Sequence, residues 1–351
     1  MTENIMKIDN KIIDKNNPTF IVAEISANHN GIFENAVKLI KEASKAGVDA
    51  IKLQTYTADT ITIDCDNEYF KIKQGTLWDG KTLHNLYKEA YTPWEWQVKL
   101  KKIAKEEGLI CFSSPFDKTA VDFLEDMNVP AYKVASFEIT DIPLIEYIAS
   151  KGKPVILATG IATLTDIEGA INACRRVGNN EIAVLKCTSA YPSPFEEMNL
   201  KTIPNLAKTF GVISGLSDHT LGITIPVAAV ALGAKIVEKH FTLSRADGGP
   251  DAAFSLEPDE LKVMVRSIRE TEKALGEISY SLTDKMKSSR EFSRSLFVVK
   301  DVRKGEIFTK ENIRSIRPGF GMHPKYYESV IGKCAKLDIK RGTPMDWTFL
   351  E

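Results

Sequence analysis

Eight short runs of apolar, β-prone residues recur along this chain: Phe20–Ser26, Ala50–Tyr56, Leu109–Phe116, Ala131–Phe137, Pro154–Gly160, Ile182–Ser189, Val212–His219 and Ile236–Thr242. Helix-patterned segments lie between them, among them Asn35–Ala46, Pro93–Glu107, Ala120–Asn128, Thr163–Val177 and Leu221–Gly233. Strands so continuously apolar suit a parallel sheet buried on both faces. Eight strand–helix repeats in a row predict an α/β fold of the (β/α)8 TIM-barrel type. In such a barrel the interior is packed with hydrocarbon, so polar residues at the C-terminal strand ends are the candidates for chemistry.

The repeats close with a long charged helix, Leu256–Leu275, and the pattern breaks at Gly276. We divide the chain into a barrel domain (1–280), a linker (281–294) and a small mostly-β domain (295–351). The stretch Leu282–Arg294 is polar and helix-capable. Beyond it come a short strand, Leu296–Val299, and turns at Lys304-Gly305-Glu306 and Lys340-Arg341-Gly342. An appendage of about 55 residues is near the lower limit for independent stability, so docking on its own barrel or on a partner's would help it. One insertion, Thr57–Tyr91, interrupts the rhythm after the second strand. It carries Trp78-Asp79-Gly80 and Tyr87 on the rim side, where long loops shape specificity; the competing reading is a solvated excursion.

Composition removes several classes. The 351 residues carry a formal net charge of −1, which leaves no field for a polyanion, so no nucleic-acid partner is expected. Five scattered cysteines without a CxxC pair indicate neither a disulfide framework nor a structural zinc site. The start, MTENIMKIDNKIIDKNN, lacks an apolar signal core, and no apolar run approaches the ~18 residues of a membrane helix. A cytoplasmic protein with no membrane partner is expected.

The rim supplies the parts. His219 and His240 end consecutive strands, with Asp218 and Glu238 beside them. Two imidazoles plus carboxylate or water suit Mn²⁺, Zn²⁺, Co²⁺ or Fe²⁺, and Mg²⁺ if waters complete the shell. Lys52, Lys133 and Lys186 lie on separate strands beside hydroxyl residues, a pattern that suits a bound phosphate. Glu24, inside an apolar strand, reads as an acid/base or hydroxyl ligand, or as the buried partner of Lys52. Asp251 follows a Gly-Gly-Pro turn as an outer-sphere or substrate-contacting carboxylate. His29 sits on the first rim loop, within reach of substrate, whereas His84 and His323 read as solvent-exposed.

Several strings together resemble the sialic-acid-synthase family: Ala23-Glu24-Ile25-Ser26-Ala27-Asn28-His29-Asn30-Gly31, Lys52-Leu53-Gln54, Ser113-Ser114-Pro115-Phe116, Tyr132-Lys133, Cys187-Thr188-Ser189-Ala190-Tyr191-Pro192, Gly215-Leu216-Ser217-Asp218-His219-Thr220 and Glu238-Lys239-His240-Phe241. The tail, with Ile316-Arg317-Pro318-Gly319, Val330-Ile331-Gly332-Lys333 and Ile339-Lys340-Arg341-Gly342, resembles that family's antifreeze-like (SAF) domain. Within the family the chain looks most like the pseudaminic acid branch. The features are Glu24-Ile25-Ser26-Ala27-Asn28, Leu77-Trp78-Asp79-Gly80-Lys81-Thr82-Leu83 and Tyr91-Thr92-Pro93-Trp94-Glu95-Trp96. Sialic acid synthases proper usually carry Gly at 26, Gly at 137 and Asn at 189, where this chain has Ser26, Phe137 and Ser189.

The resemblance implies condensation of phosphoenolpyruvate with an amino-sugar aldehyde, breaking the C–O bond of phosphoenolpyruvate. For the pseudaminic branch the sugar is 2,4-diacetamido-2,4,6-trideoxy-L-altrose. It also implies a divalent metal on His219 and His240, with Mn²⁺ the first choice and Mg²⁺ or Co²⁺ as alternatives. The phosphoenolpyruvate pocket falls to Lys52, Ser114, Lys133, Ser136, Ser189 and Ser217, with Tyr191 close by. Glu24, Gln54, Glu138 and Asp251 become sugar-facing or acid/base groups. Arg317 becomes the arginine that reaches a partner's barrel in a domain-swapped homodimer. Competing readings are an N-acetylneuraminate or legionaminate synthase, a Schiff-base aldolase using Lys133 or Lys186, and a non-catalytic carbohydrate-binding protein.

Overall fold

A computed structural model describes residues 4–73, 75 and 78–351 of the chain; Leu77 of the insertion motif and the first three residues of the polar start lie outside the described residues. The chain divides into two units, Met1–Gly276 and Glu277–Glu351.

In the first unit two short strands, β1 (Met6–Ile8) and β2 (Lys11–Ile13), precede the repeats and pair antiparallel. Sequence reading passed over them because three residues are too few to show a period. Asp9 turns the chain between them at φ 54°, a conformation that short polar side chains tolerate. The eight expected strands all form: β3 (Phe20–Glu24), β4 (Ala50–Thr55), β5 (Ile110–Pro115), β6 (Tyr132–Val134), β7 (Val155–Ala158), β8 (Ile182–Cys187), β9 (Ile213–Asp218) and β10 (Ile236–His240). They close into a parallel barrel in chain order, β10 pairing with β3. A helix follows each strand. Those at Ile142–Ala149 and Thr202–Phe210 complete the set beyond the segments picked out from sequence. Side-chain caps start several of them: the Asp117 carboxylate accepts from the N–H groups of Thr119 and Ala120, and Asp141 from that of Leu144.

Side chains alternate along a strand, and this alternation decides what reaches the mouth. The outer positions of β3, β4 and β10, such as Ile21, Ala23, Ile51, Leu53 and Val237, pack against helices. The inner positions Phe20, Val22, Ala50, Ile110, Phe112, Ala131, Ile156, Ala183, Leu185, Ile213 and Ile236 form one cluster with Met6, Ile8 and Ile13 of the hairpin. The hairpin therefore packs as the floor of the barrel. Gly215 belongs to this inner layer, where a Cβ would collide with Leu185 and with the Ile236 carbonyl. Further up the strands the inner set turns polar, except on β7, where Ala158 follows Ile156.

In the second unit β11 (Ser295–Val298) pairs antiparallel with β12 (Ile313–Ile316), and isolated bridges such as Val302↔Ile339 and Ile307↔Cys334 extend the pairing. Leu296, Val298, Phe308, Ile313, Ile339 and Met345 form its core. A short helix, Asp284–Ser289, lies in the stretch before β11. Among the described residues no helix is long and apolar enough to cross a membrane.

Candidate active site

Continuing the inner face upward from the apolar layer brings Glu24, Lys52, Ser114, Lys133, Cys187, Ser217 and Glu238 to one level of the mouth, with His219 and His240 above it. Register confirms the neighbours: Glu24 stands opposite Lys52 and His240, and Ser217 opposite Cys187 and Glu238. All nine side chains are buried.

The centre of this layer is a ring of charges. Glu24 is ion-paired with Lys52, and Lys52 Nζ donates to Ser114 Oγ at 3.3 Å. Lys133 Nζ donates to Glu238 Oε1 at 2.8 Å, and Ser217 Oγ donates to the same oxygen at 3.1 Å. Lys52 Nζ lies 3.9 Å from it. Burial opposes the charge on Glu238, but the two ammonium groups outweigh it and hold this carboxyl well below the usual range. Glu24 moves the other way, because its burial exceeds what Lys52 returns. The two readings of Glu24 therefore merge: it is the partner of Lys52, and both face the pocket.

Beside the ring, Ser136 Oγ accepts from the Gly160 N–H at 3.1 Å and donates to Cys187 Sγ at 3.4 Å. Gly160 has to be glycine, since a Cβ there would collide with the hydroxyls of Ser189 and Ser136. Strand β6 ends earlier than the apolar pattern suggests. The chain turns into a short 3-10 helix, Ser136–Glu138, that carries Glu138 over the mouth. Glu138 Oε2 is buried without a hydrogen-bond partner, and burial raises this carboxyl to about 7.

The histidines meet above this layer, with ring centroids 5.2 Å apart. His219 Nδ1 donates to the Thr188 carbonyl at 3.1 Å, leaving Nε2 as its ligand-capable atom. His240 Nδ1 is buried without a hydrogen-bond partner and lies 3.8 Å from Asp251 Oδ2. Burial, and then the neighbouring His219, keeps His240 neutral, as a metal ligand must be. This donor set fits a divalent ion. Among the described residues no third protein group completes a cage, so the remaining positions suit water or substrate oxygen. Asp251 also accepts from Ser26 Oγ, which in turn accepts from Gln54 Nε2 at 3.0 Å. Burial raises the Asp251 carboxyl. Tyr191 packs edge-on to His219 at 4.6 Å and against Phe254 at 5.3 Å.

Four expectations change. Lys186 is on the outer face of β8, where its Nζ donates to Cys187 O at 2.7 Å and Thr188 Oγ1 at 3.1 Å, so two lysines and not three enter the pocket. Asp218 also points outward, and its Oδ2 accepts from buried Lys239 Nζ at 2.5 Å. It therefore does not accompany the histidines. His84 is buried, with Nε2 2.9 Å from Asp59 Oδ1 within the insertion, and is not solvent-exposed. His29 faces the scaffold: Nε2 is 3.0 Å from Thr92 Oγ1, Nδ1 accepts from the Gly31 N–H, and Trp96 lies against the ring. Cys187 is a pocket residue that sequence reasoning left outside the site, and Glu238, noted there only as a carboxylate beside the histidines, instead holds Lys133 and Ser217. The signal was present, because each lies two positions before or opposite an inward residue already chosen.

The insertion folds back on itself through a bridge between Lys71 and Thr82. Its turn sends Trp78 across the rim, where Nε1 donates to Pro250 O at 3.2 Å and the ring lies 5.7 Å from that of Tyr191. In the second unit, Arg317 lines a concavity of about 520 Å³ together with Arg294, Arg314 and Tyr327.

Comparison with known proteins gives a consistent picture. Residues 39–280 match the NeuB family and residues 293–351 match the SAF domain. The chain is 48% identical to pseudaminic acid synthase of Campylobacter jejuni over 337 residues, covering 96% of this chain and 97% of that protein. It is 46% identical to pseudaminic acid synthase of Helicobacter pylori, covering 93% and 96%. Among solved structures, N-acetylneuraminic acid synthetase from Leptospira borgpetersenii in complex with citrate superposes with a TM-score of 0.72 at 33% identity, covering 82% of this chain and 95% of that one.

Proposed function

The chain belongs to the NeuB family, and on that premise we propose that it condenses phosphoenolpyruvate with 2,4-diacetamido-2,4,6-trideoxy-L-altrose to give pseudaminic acid and phosphate. The observation that carries this reading is the juxtaposition of a two-lysine, two-serine anion pocket with a pair of neutralisable histidines in one barrel mouth. The near full-length identity to pseudaminic acid synthases supports the choice of sugar.

In this mechanism Lys52, Lys133, Ser114 and Ser217 bind the phosphate and fix the enol carbon toward the histidine side, with Ser136 and Ser189 beside them. His219 and His240 hold the divalent ion, Mn²⁺ by preference, which supplies Lewis-acid polarisation of the aldehyde when bound. C3 of phosphoenolpyruvate attacks the aldehyde carbon, and Glu138, neutral below pH 7, gives its proton to the oxygen that becomes a hydroxyl. Water adds to the oxocarbenium carbon C2 and loses a proton to Glu24, whose raised pKa makes it a better base than a surface carboxylate. The tetrahedral intermediate then expels phosphate by C–O cleavage. Tyr191, Gln54 and Asp251 orient the open-chain sugar. Holding two substrates in attack geometry supplies much of the rate gain. A Schiff-base mechanism fits less well, since Lys186 points outward and Lys133 is engaged with Glu238. Arg317, from the tail of a second copy, completes the mouth in this reading, which makes the working unit a homodimer. The unpaired state of all five cysteines accords with a cytoplasmic enzyme.

Phosphate release decides the matter. The enzyme should turn over phosphoenolpyruvate with the diacetamido-altrose far faster than with N-acetylmannosamine, and ¹⁸O in the bridging position should leave with phosphate. EDTA, His219→Ala and His240→Ala should each abolish turnover, and the two variants should also lose Mn²⁺ binding in equilibrium dialysis. Preference for N-acetylmannosamine, label retained in the keto acid, or full activity in EDTA would each overturn its part of the reading.

A further inference from the structure

The insertion after β4 is anchored at both ends near one side of the barrel, yet its turn touches loops from elsewhere on the rim. Trp78 donates its indole N–H to Pro250 O in the loop after β10 and packs on Tyr191 in the loop after β8. A single aromatic side chain thus bridges the mouth. We propose that Trp78 is a specificity-determining residue that receives the deoxy, methyl-bearing end of the sugar, an inference that rests on the substrate class assigned above.

Two features of the geometry carry it. The first is position. The rings form a continuous series from the histidine pair, His219 to Tyr191 at 4.6 Å and Tyr191 to Trp78 at 5.7 Å. In the proposed reading, an open six-carbon chain with its aldehyde at the histidines is long enough to bring its far end to Trp78. The second is chemistry. With its N–H engaged by Pro250 O, the indole meets a ligand with hydrocarbon and a π face, and Tyr191 and Phe254 continue the same wall. Carbon 6 of the proposed sugar bears a methyl group where an ordinary hexose bears a hydroxymethyl. A methyl gains by burial on such a wall; a hydroxyl loses its water without gaining a partner. An apolar pocket rejects an added hydroxyl by no more than about a hundredfold, which sets the scale of the preference.

The test compares kcat/KM for two sugars that differ only at carbon 6, the 6-deoxy diacetamido sugar and its 6-hydroxy counterpart, in full-length wild type, Trp78→Phe, Trp78→Gln and Trp78→Ala. The KM for phosphoenolpyruvate is measured alongside. Wild type should prefer the deoxy sugar by about ten- to a hundredfold. Trp78→Phe should keep most of that ratio, and Trp78→Gln and Trp78→Ala should bring it toward one with the phosphoenolpyruvate KM unchanged. If Trp78→Ala does not fold, the phenylalanine–glutamine comparison decides by the same criterion. A ratio that survives in Trp78→Gln overturns the proposal, as does an equal loss with both sugars. If wild type releases no phosphate with the deoxy sugar at all, the substrate assignment fails instead, which is a different result.

Discussion

Glu238 Oε1 accepts hydrogen bonds from Lys133 Nζ at 2.8 Å and from Ser217 Oγ at 3.1 Å, so one buried carboxylate holds two groups of the anion pocket. Removing one partner of a buried charge pair leaves the other uncompensated. Glu238→Gln should therefore unfold at lower temperature than wild type, and an anion should restore more of the loss. In thermal melts, saturating phosphoenolpyruvate should shift the variant further than it shifts wild type, while kcat/KM falls at least tenfold through misplaced lysines. An equal shift in both proteins would show that Glu238 does not organise this pocket.

Glu138 sits over the mouth with its carboxyl raised by burial to about 7. As a proton donor it works in the neutral form, which is present below that pH and lost above it. The kcat/KM profile should fall through an alkaline limb near pH 7. Glu138→Gln neither donates nor titrates, so its residual rate should be at least a hundredfold lower and flat across the same range. A limb unchanged in the variant assigns the titration to another group.

Asp218 and Lys239 are paired inside the wall, both side chains fully buried. Breaking such a pair from one side costs about 3–5 kcal/mol. Asp218→Asn should lose stability of that order in urea titration and keep its Mn²⁺ affinity, because the carboxylate faces away from the histidines. Weaker Mn²⁺ binding with unchanged stability would place Asp218 in the metal site after all.

His29 is buried and held neutral, its ring lowered by that burial to about 4. The unfolded chain takes up a proton nearer pH 6.5, so this contribution to stability is complete above 6.5 and is lost as the pH falls toward 4. At pH 5 the loss relative to pH 7.5 is about 2 kcal/mol. Comparison of wild type with His29→Gln by urea unfolding at the two pH values should show a steeper acid dependence in wild type by that amount. Identical slopes would mean that His29 is hydrated in the folded state.

Much of this was legible in the sequence, for a physical reason. Eight buried parallel strands are apolar on both faces, so Ile51-Lys52-Leu53 or Ile236-Val237-Glu238 announce themselves against the intervening helices. Strand ends were then found within two residues, except at β6, which stops three residues early, and the mouth residues with them. What the strings do not display is facing. Asp218 adjoins His219 and Lys186 adjoins Cys187, yet each points to the opposite side of the wall, because adjacent residues on a strand diverge. Counting in twos from Ala183 and Ile213 would have sorted them, and the same count from Ile236 would have turned Glu238 toward the lysines. The hairpin β1–β2 and the reach of Trp78 depend on tertiary packing that no local pattern encodes.

The hairpin has a consequence for traffic. Met6, Ile8 and Ile13 join the lower interior layer, so the charged ring rests on continuous hydrocarbon. With the base filled in this way, whatever reacts at the charged ring enters and departs through the mouth. If phosphoenolpyruvate sits on the lysines at the deeper level, as proposed above, it has to arrive before the sugar closes over it, and a queue of this kind makes binding order a property of the plugged base.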